Sequence, residues 1–297
     1  MSADSLDAMP EPTAFADVED VSRQLAEVDY LASRQIATTV LLAERLGRPI
    51  LVEGPAGVGK TALAKAMAAA TDRELIRLQC YEGVDEARAL YEWNHAKQLL
   101  RITAERDGGW DEVRSDVFTE EFLLPRPLLR AVRSERPVVL LVDELDKADE
   151  ELEGLLLELL SDFQVTIPEL GTVAAQSRPL VVVTSNATRE LGEALRRRCL
   201  FLHVDYPDAE LEQRIVHLHA PDLQQELATS IVRVVRSLRD GSLRKPPSVS
   251  ETVDWARTLL TLGATELDEQ VVGSTLGVLL KHQDDIESAR AAMKLDA

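Results

Sequence analysis

The chain is poor in cysteine and in aromatic residues: two cysteines, Cys80 and Cys199, and 4% aromatics in 297 residues. The two thiols are far apart and show no C-x-x-C spacing, which argues against zinc and suits a reducing compartment, so the expected location is cytoplasmic. Basic residues are also scarce, 33 Lys plus Arg against 52 Asp plus Glu, for a formal net charge of -19. Such a surface attracts phosphate backbones and anionic lipid weakly, so no nucleic acid partner is expected and protein partners are. No run of 18 apolar residues occurs, and Met1 to Pro12 has neither a basic n-region nor an apolar h-region. No membrane span and no secretory signal are expected.

What stands out is Gly54-Pro55-Ala56-Gly57-Val58-Gly59-Lys60-Thr61, a match to G-x-x-x-x-G-K-[ST]. It lies between the apolar run Ile50-Leu51-Val52 and an alanine-rich helical pattern from Ala62 to Ala70, the order strand, loop, helix. Three glycines let the backbone curl so that successive N–H groups face phosphate oxygens, and the helix presents its positive end to the same charge. In that arrangement Lys60 reaches the β- and γ-phosphates and the Thr61 hydroxyl sits on magnesium, which makes ATP and magnesium the expected cofactors.

Before the loop, residues 1–17 carry two prolines, several acids and little apolar periodicity and read as a flexible lead-in. Arg34 to Leu46 is patterned as a helix, stopped by Gly47 and Pro49. After it, apolar runs at Leu75–Cys80, Pro137–Val142, Leu180–Val183 and Leu200–Val204 alternate with helical patterns, which makes a parallel doubly wound sheet the economical fold. Two excursions interrupt it. Residues Tyr91 to Phe118, with Trp93, Trp110 and a Gly108-Gly109 turn, read as a packed hairpin. Phe163 to Val173, turning at Pro168-Glu169-Leu170-Gly171, reads as a second. From Tyr206 on only helices are signalled: one capped by Asp208 and running through His219, one from Asp222 to Arg239, one capped by Ser250 and stopping at Gly263, and one opened by Asp268. Expected domains are thus 18–205 and a small helical one at 206–297. His217 and His219, two apart, cannot share a metal from one helix face and read as non-catalytic.

Nucleotide hydrolysis needs a magnesium ligand, a base to orient water, and positive charge for the transition state. Asp143, at the end of the most apolar strand, is the candidate magnesium ligand, and Glu144 is the candidate base that polarises water. Asn186, at the tip of the next strand, is placed to hydrogen-bond that water or the γ-phosphate. Arg196-Arg197-Arg198 reads equally well as a solvated helix end and as an arginine finger reaching the next subunit's nucleotide.

Taken together, from about residue 18 to 265, the chain resembles the AAA+ ATPases, in which the loop, the Asp143-Glu144 strand, the Asn186 position and the arginine cluster occur in this order. The resemblance implies an AAA+ P-loop fold with a C-terminal helical lid, ATP bound at Gly54 through Ala62, and a homo-oligomeric ring, expected as a hexamer. It also implies Arg198 as the finger, with Arg197 its competitor. The two insertions resemble the MoxR branch, whose members are generally chaperones for metalloenzyme assembly and commonly work with a von Willebrand A adaptor. Within it, Leu78-Gln79-Cys80-Tyr81-Glu82-Gly83, Leu90-Tyr91-Glu92-Trp93-Asn94, Ser161 through Gly171, and Lys245-Pro246-Pro247 are similar to CoxD-type proteins. Kinship to that subgroup implies maturation of a molybdenum-containing carbon monoxide dehydrogenase or a related hydroxylase. One departure is Ser250-Glu251, where many MoxR proteins carry a lid arginine. A clamp-loader-like nucleic-acid remodeller and a nucleotide-gated scaffold are the alternatives; net acidity weighs against the first and Glu144 against the second.

Overall fold

The computed structural model describes residues 14–104 and 117–293. The chain divides into two compact units, one comprising the residues up to Glu53 and Thr61–His203, the other Gly54–Lys60 with the residues from Val204 on.

The first unit begins with α1 (Val18–Glu27) and α2 (Arg34–Leu46), the latter capped by Ser33 and ended by Gly47 at φ 61. Phe15 is fully buried, and the Ala14 and Phe15 N–H groups donate to the Glu44 carboxylate. β1 (Ile50–Glu53) leads through the glycine-rich loop to α3 (Lys60–Ala70) and β2 (Glu74–Gln79). Next come α4 (Glu86–Ala89), β3 (Tyr91–Trp93), α5 (His95–Ala104), β4 (Leu123–Pro125) and α6 (Pro127–Arg133). β5 (Val138–Asp143), α7 (Glu150–Asp162), the pair β6 (Gln164–Ile167) and β7 (Gly171–Ala174), β8 (Leu180–Ser185), α8 (Glu193–Arg198) and β9 (Leu200–His203) complete the unit.

Five strands form one parallel sheet in the order β2-β5-β8-β1-β9. β5 and β8 are central and buried at all six positions, as continuous Val/Leu runs require when helices cover both faces. Register sets the chemistry. Glu53 pairs with Ser185, Val142 with Val183, and Gln79 with Asp143, so the carboxyl ends of β1, β8, β5 and β2 line one edge of the sheet. That edge is where open α/β sheets bind ligands. Leu152, Leu156, Leu159 and Leu160 of α7 seal one face of the core.

Both insertions exist, but the first differs from its expectation. β3 pairs antiparallel with β4, Trp93 opposite Leu123, so the partner of the Trp93 strand lies beyond Phe118, and the helix α5 stands between them. The Gly108-Gly109 turn and Trp110 lie outside the described residues. The second insertion is the expected hairpin, with Val165 opposite Val173.

The second unit is helical after its loop segment: α9 (Ala209–His219), α10 (Gln225–Arg239), α11 (Val249–Thr261), α12 (Glu269–Leu279) and α13 (Gln283–Met293). Their apolar faces meet around Trp255, whose indole N–H donates to the Thr275 hydroxyl at 2.8 Å. Asp208 and Asp268 cap α9 and α12 as expected. The cap of α11 is Ser248 rather than Ser250. Its hydroxyl accepts from the Glu251 N–H while the Glu251 carboxylate accepts from the Ser248 N–H, a reciprocal box that Ser250 lacks the spacing to make. α10 starts three residues later than Asp222 suggests, and α13 had no distinct signal.

Candidate functional site

The loop Gly54–Lys60 is a backbone device. Gly54, Gly57 and Gly59 have φ of 153, 74 and 98°, conformations that side chains strain. At Gly54 a Cβ would meet the Val204 carbonyl oxygen at 1.9 Å, and at Gly57 it would meet the Ser248 side chain at 2.3 Å. Space as well as torsion therefore demands glycine. Lys60 is buried and its Nζ donates to the Gly54 and Pro55 carbonyls, each at 2.6 Å, which holds its charge on the loop itself.

Asp143 is the hub of the sheet edge. It is 1% exposed, and its Oδ1 accepts from the Thr61 hydroxyl at 2.9 Å and the Thr184 hydroxyl at 2.6 Å, while Oδ2 pairs with the Arg77 guanidinium at 2.5 Å. A hydroxyl and a carboxylate oxygen this close are a donor set that suits a hard divalent cation such as magnesium. Glu144 follows in the left-handed region, φ 58, so its side chain leaves the strand in a direction of its own. Thr184 braces this bend by accepting the Glu144 N–H at 2.9 Å. The Glu144 carboxylate is held from three sides, by Gln79 Nε2 at 3.0 Å, Lys147 Nζ at 2.7 Å and Asn186 Nδ2 at 3.4 Å. The hydrogen bond from Lys147 also raises that lysine's pKa.

Next to it, burial alone would push the Asp146 carboxyl up, yet the Thr188 hydroxyl and N–H, which donate to its Oδ2, bring it below the usual carboxylate range. Cys80 is pushed up to about 12, first by burial and then by the neighbouring carboxylates, and Cys199 to about 12 by burial; neither is a nucleophile at neutral pH.

The arginines separate. Arg196 pairs with Glu53 at 2.6 Å and lies over the Phe201 ring at 5.2 Å. Arg198 donates to the Ser161 hydroxyl and, at 2.8 Å, to the Ala194 carbonyl. Arg197 is the most exposed of the three, with only an i,i+4 pair to Glu193 at 2.9 Å. Arg48 donates to the carbonyls of residues 197, 198 and 199, which fixes where this helix ends.

The structure thus brings Thr61, Asp143, Glu144 and Asn186 together with Thr184, which the sequence places with Ser185 and Asn186 in a polar trio at the strand end, and adds Arg77, Gln79 and Lys147, to which sequence reasoning gave no role. For Gln79 the only available signal was its place at the end of a predicted strand, which in a parallel sheet puts it level with Asp143.

Comparison with known proteins gives the family and the fold. The profile of the "ATPase family associated with various cellular activities (AAA)" matches residues 50–205, just over half of the chain. The gas vesicle ATPase GvpN of Haloferax mediterranei is 26% identical over 241 residues, covering 77% of this chain and 67% of its own. An uncharacterized protein of Staphylococcus aureus is 26% identical over 224 residues, 73% of this chain and 77% of its own. Among solved structures, a point mutant of RuvB from Thermotoga maritima superposes with a TM-score of 0.50 at 16% identity, over 97% of this chain and 87% of that one, a likeness of fold alone.

Proposed function

The chain belongs to the AAA family of ATPases, and from that premise we propose that it is a remodelling ATPase of the MoxR type which acts on a protein client. ATP is its substrate. The observation that carries the chemistry is the Glu144 carboxylate, gripped by Gln79, Lys147 and Asn186 one residue from an Asp143 that is hydrogen-bonded to Thr61. In this reading the loop's N–H groups and Lys60 bind the β- and γ-phosphates. Thr61 and Asp143 would hold magnesium, which would supply positive charge to offset that of the phosphates. Glu144 accepts a proton from the attacking water, and Asn186 keeps that carboxylate aimed.

The finer reading rests on kinship. The GvpN relative, itself MoxR-like, and the two insertions support the branch. The CoxD-like strings support a client among the molybdenum-containing carbon monoxide dehydrogenases and related hydroxylases, with a von Willebrand A protein as adaptor. The working form is a ring, proposed as a hexamer in the cytoplasm, in which Arg198, or Arg197 in its place, stabilises charge on the neighbouring subunit's nucleotide. Hydrolysis would move the ring between two arrangements that the client distinguishes.

The test is a tagged Glu144→Gln chain held in ATP in its native cell, with bound proteins identified by mass spectrometry and Lys60→Ala as control. A molybdenum hydroxylase subunit or a von Willebrand A protein retained only by Glu144→Gln is the expected result. DNA-processing proteins in its place would overturn the client reading.

A further inference from the structure

Arg77 and Gln79 stand two residues apart on β2, so their side chains leave the same face of the sheet, while Leu78 between them is buried in the core on the other. Register puts Arg77 level with Leu141 and Gln79 level with Asp143 on the neighbouring strand. The arginine stem runs forward along the strand, and its head meets the Asp143 carboxylate two residues on. One nitrogen, Nη2, donates both to Asp143 Oδ2, at 2.5 Å, and to Gln79 Oε1. Gln79 Nε2 in turn donates to Glu144 Oε2 at 3.0 Å. A continuous chain of hydrogen bonds therefore runs from Asp143 through Arg77 and Gln79 to Glu144.

The pairing of Arg77 with Asp143 alone would read as charge balance for a buried carboxylate. Its second hydrogen bond has a different consequence. A guanidinium carries donors only, so the oxygen of the Gln79 amide faces Arg77 and the NH2 group is left to face Glu144. Turned over, the amide would set donor against donor at Arg77 and oxygen against oxygen at Glu144. A positive charge on the amide oxygen also makes the N–H on the far side a stronger donor, because hydrogen bonds in a chain polarise one another.

Without that anchor Gln79, which is only partly buried, is free to turn towards the Cys80 carbonyl, 3.4 Å from the same Nε2. Glu144 would feel the loss directly. Its Oε2 accepts from Gln79 and from Lys147, and Lys147 belongs to an i,i+3 pair that solvent reaches. With the amide gone, the lysine alone would decide where this oxygen points.

We propose that Arg77 is a positioning residue for hydrolysis: it fixes the Gln79 amide so that Glu144 stays aimed at the attacking water, and Asp143 holds the arginine in place to do so. The inference rests on the reading of Glu144 as the base. Arg77 itself touches no reacting atom, and its side chain is 45% exposed, so replacing it opens no hole in the core.

The test is a double-mutant cycle on the full chain, with single-turnover hydrolysis and ATP affinity measured for Arg77→Met, Gln79→Leu, the two together, and Glu144→Gln. Arg77→Met keeps the apolar stem and removes the donors. It is expected to slow hydrolysis by roughly tenfold and to leave ATP affinity within about twofold of the parent. The pair is expected to be no more than about twofold slower than Gln79→Leu alone, because the arginine acts through the amide it holds. A residue that only balanced the charge of Asp143 would give losses that multiply. Arg77→Gln, too short to reach the Gln79 amide, repeats the cycle should Arg77→Met melt below the parent, and the same pattern is expected. Unchanged hydrolysis in the arginine variant, losses that multiply, or ATP affinity falling in step with rate would each overturn the positioning role, and with Glu144→Gln slowed by roughly 10³-fold the base would still stand. Hydrolysis by Glu144→Gln within about tenfold of the parent would overturn both.

Discussion

The glycine-rich loop and the carboxylate edge, to which the proposed function gives separate tasks in ATP binding and hydrolysis, are made in opposite ways. The loop is eight consecutive residues shaped by their backbone, and its demands on side chains are mostly negative, no Cβ at Gly54 or Gly57. The edge draws Thr61 from α3, Arg77 and Gln79 from β2, Asp143 from β5 and Thr184 from β8, and it works only because the sheet order puts those strand ends side by side. A local device fails all at once when its backbone is disturbed. A distributed one should fail by degrees, according to which strand loses its contribution.

The contrast can be broken at the loop first. Gly54→Ala drives a methyl into the Val204 carbonyl, so nucleotide binding should disappear in equilibrium titration while the sheet still folds by circular dichroism. Retained ATP affinity would show that the loop tolerates what its geometry forbids. Lys60→Ala leaves the backbone alone but removes the charge that matches the β/γ-phosphates, and ATP affinity should fall on the order of 100-fold. At the edge the losses should be smaller and should appear in kcat. Gln79→Leu removes one of three hydrogen bonds to Glu144, with an expected loss of roughly tenfold in kcat and no change in ATP affinity. An equal loss of affinity would mean that Gln79 serves the fold instead. The smallest effect is a negative one: with Cys80 and Cys199 both pushed up to about 12, alkylation of the native chain at pH 8 should leave both thiols unmodified by mass spectrometry, since about one in 10⁴ is ionised there.

The same contrast explains what was legible in the sequence. Period and composition gave the five parallel strands, because Val-Val-Leu-Leu-Val can be buried on two faces only in such a sheet, and the loop was spelled out in consecutive letters. The hairpin at Gln164–Ala174 was legible for the same reason, since its strands are joined by a short turn. The pairing of Tyr91–Trp93 with Leu123–Pro125 was not, because the partner lies about thirty residues on and no local signal selects it. Arg77, Gln79 and Thr184 are ordinary polar residues at strand ends, and only register gives them their neighbours. Ser248 could have been found: Ser248-Val249-Ser250-Glu251 spells the capping box, which Ser250 does not.

The proposal that ATP binding and hydrolysis are separable in this chain stands on Glu144. The direct measurement is ATP affinity and single-turnover hydrolysis of Glu144→Gln beside the parent chain. ATP bound within about twofold of parent affinity, with hydrolysis slowed by roughly 10³-fold, is the expected result. Hydrolysis within about tenfold of the parent, or affinity lost in step with rate, would contradict it.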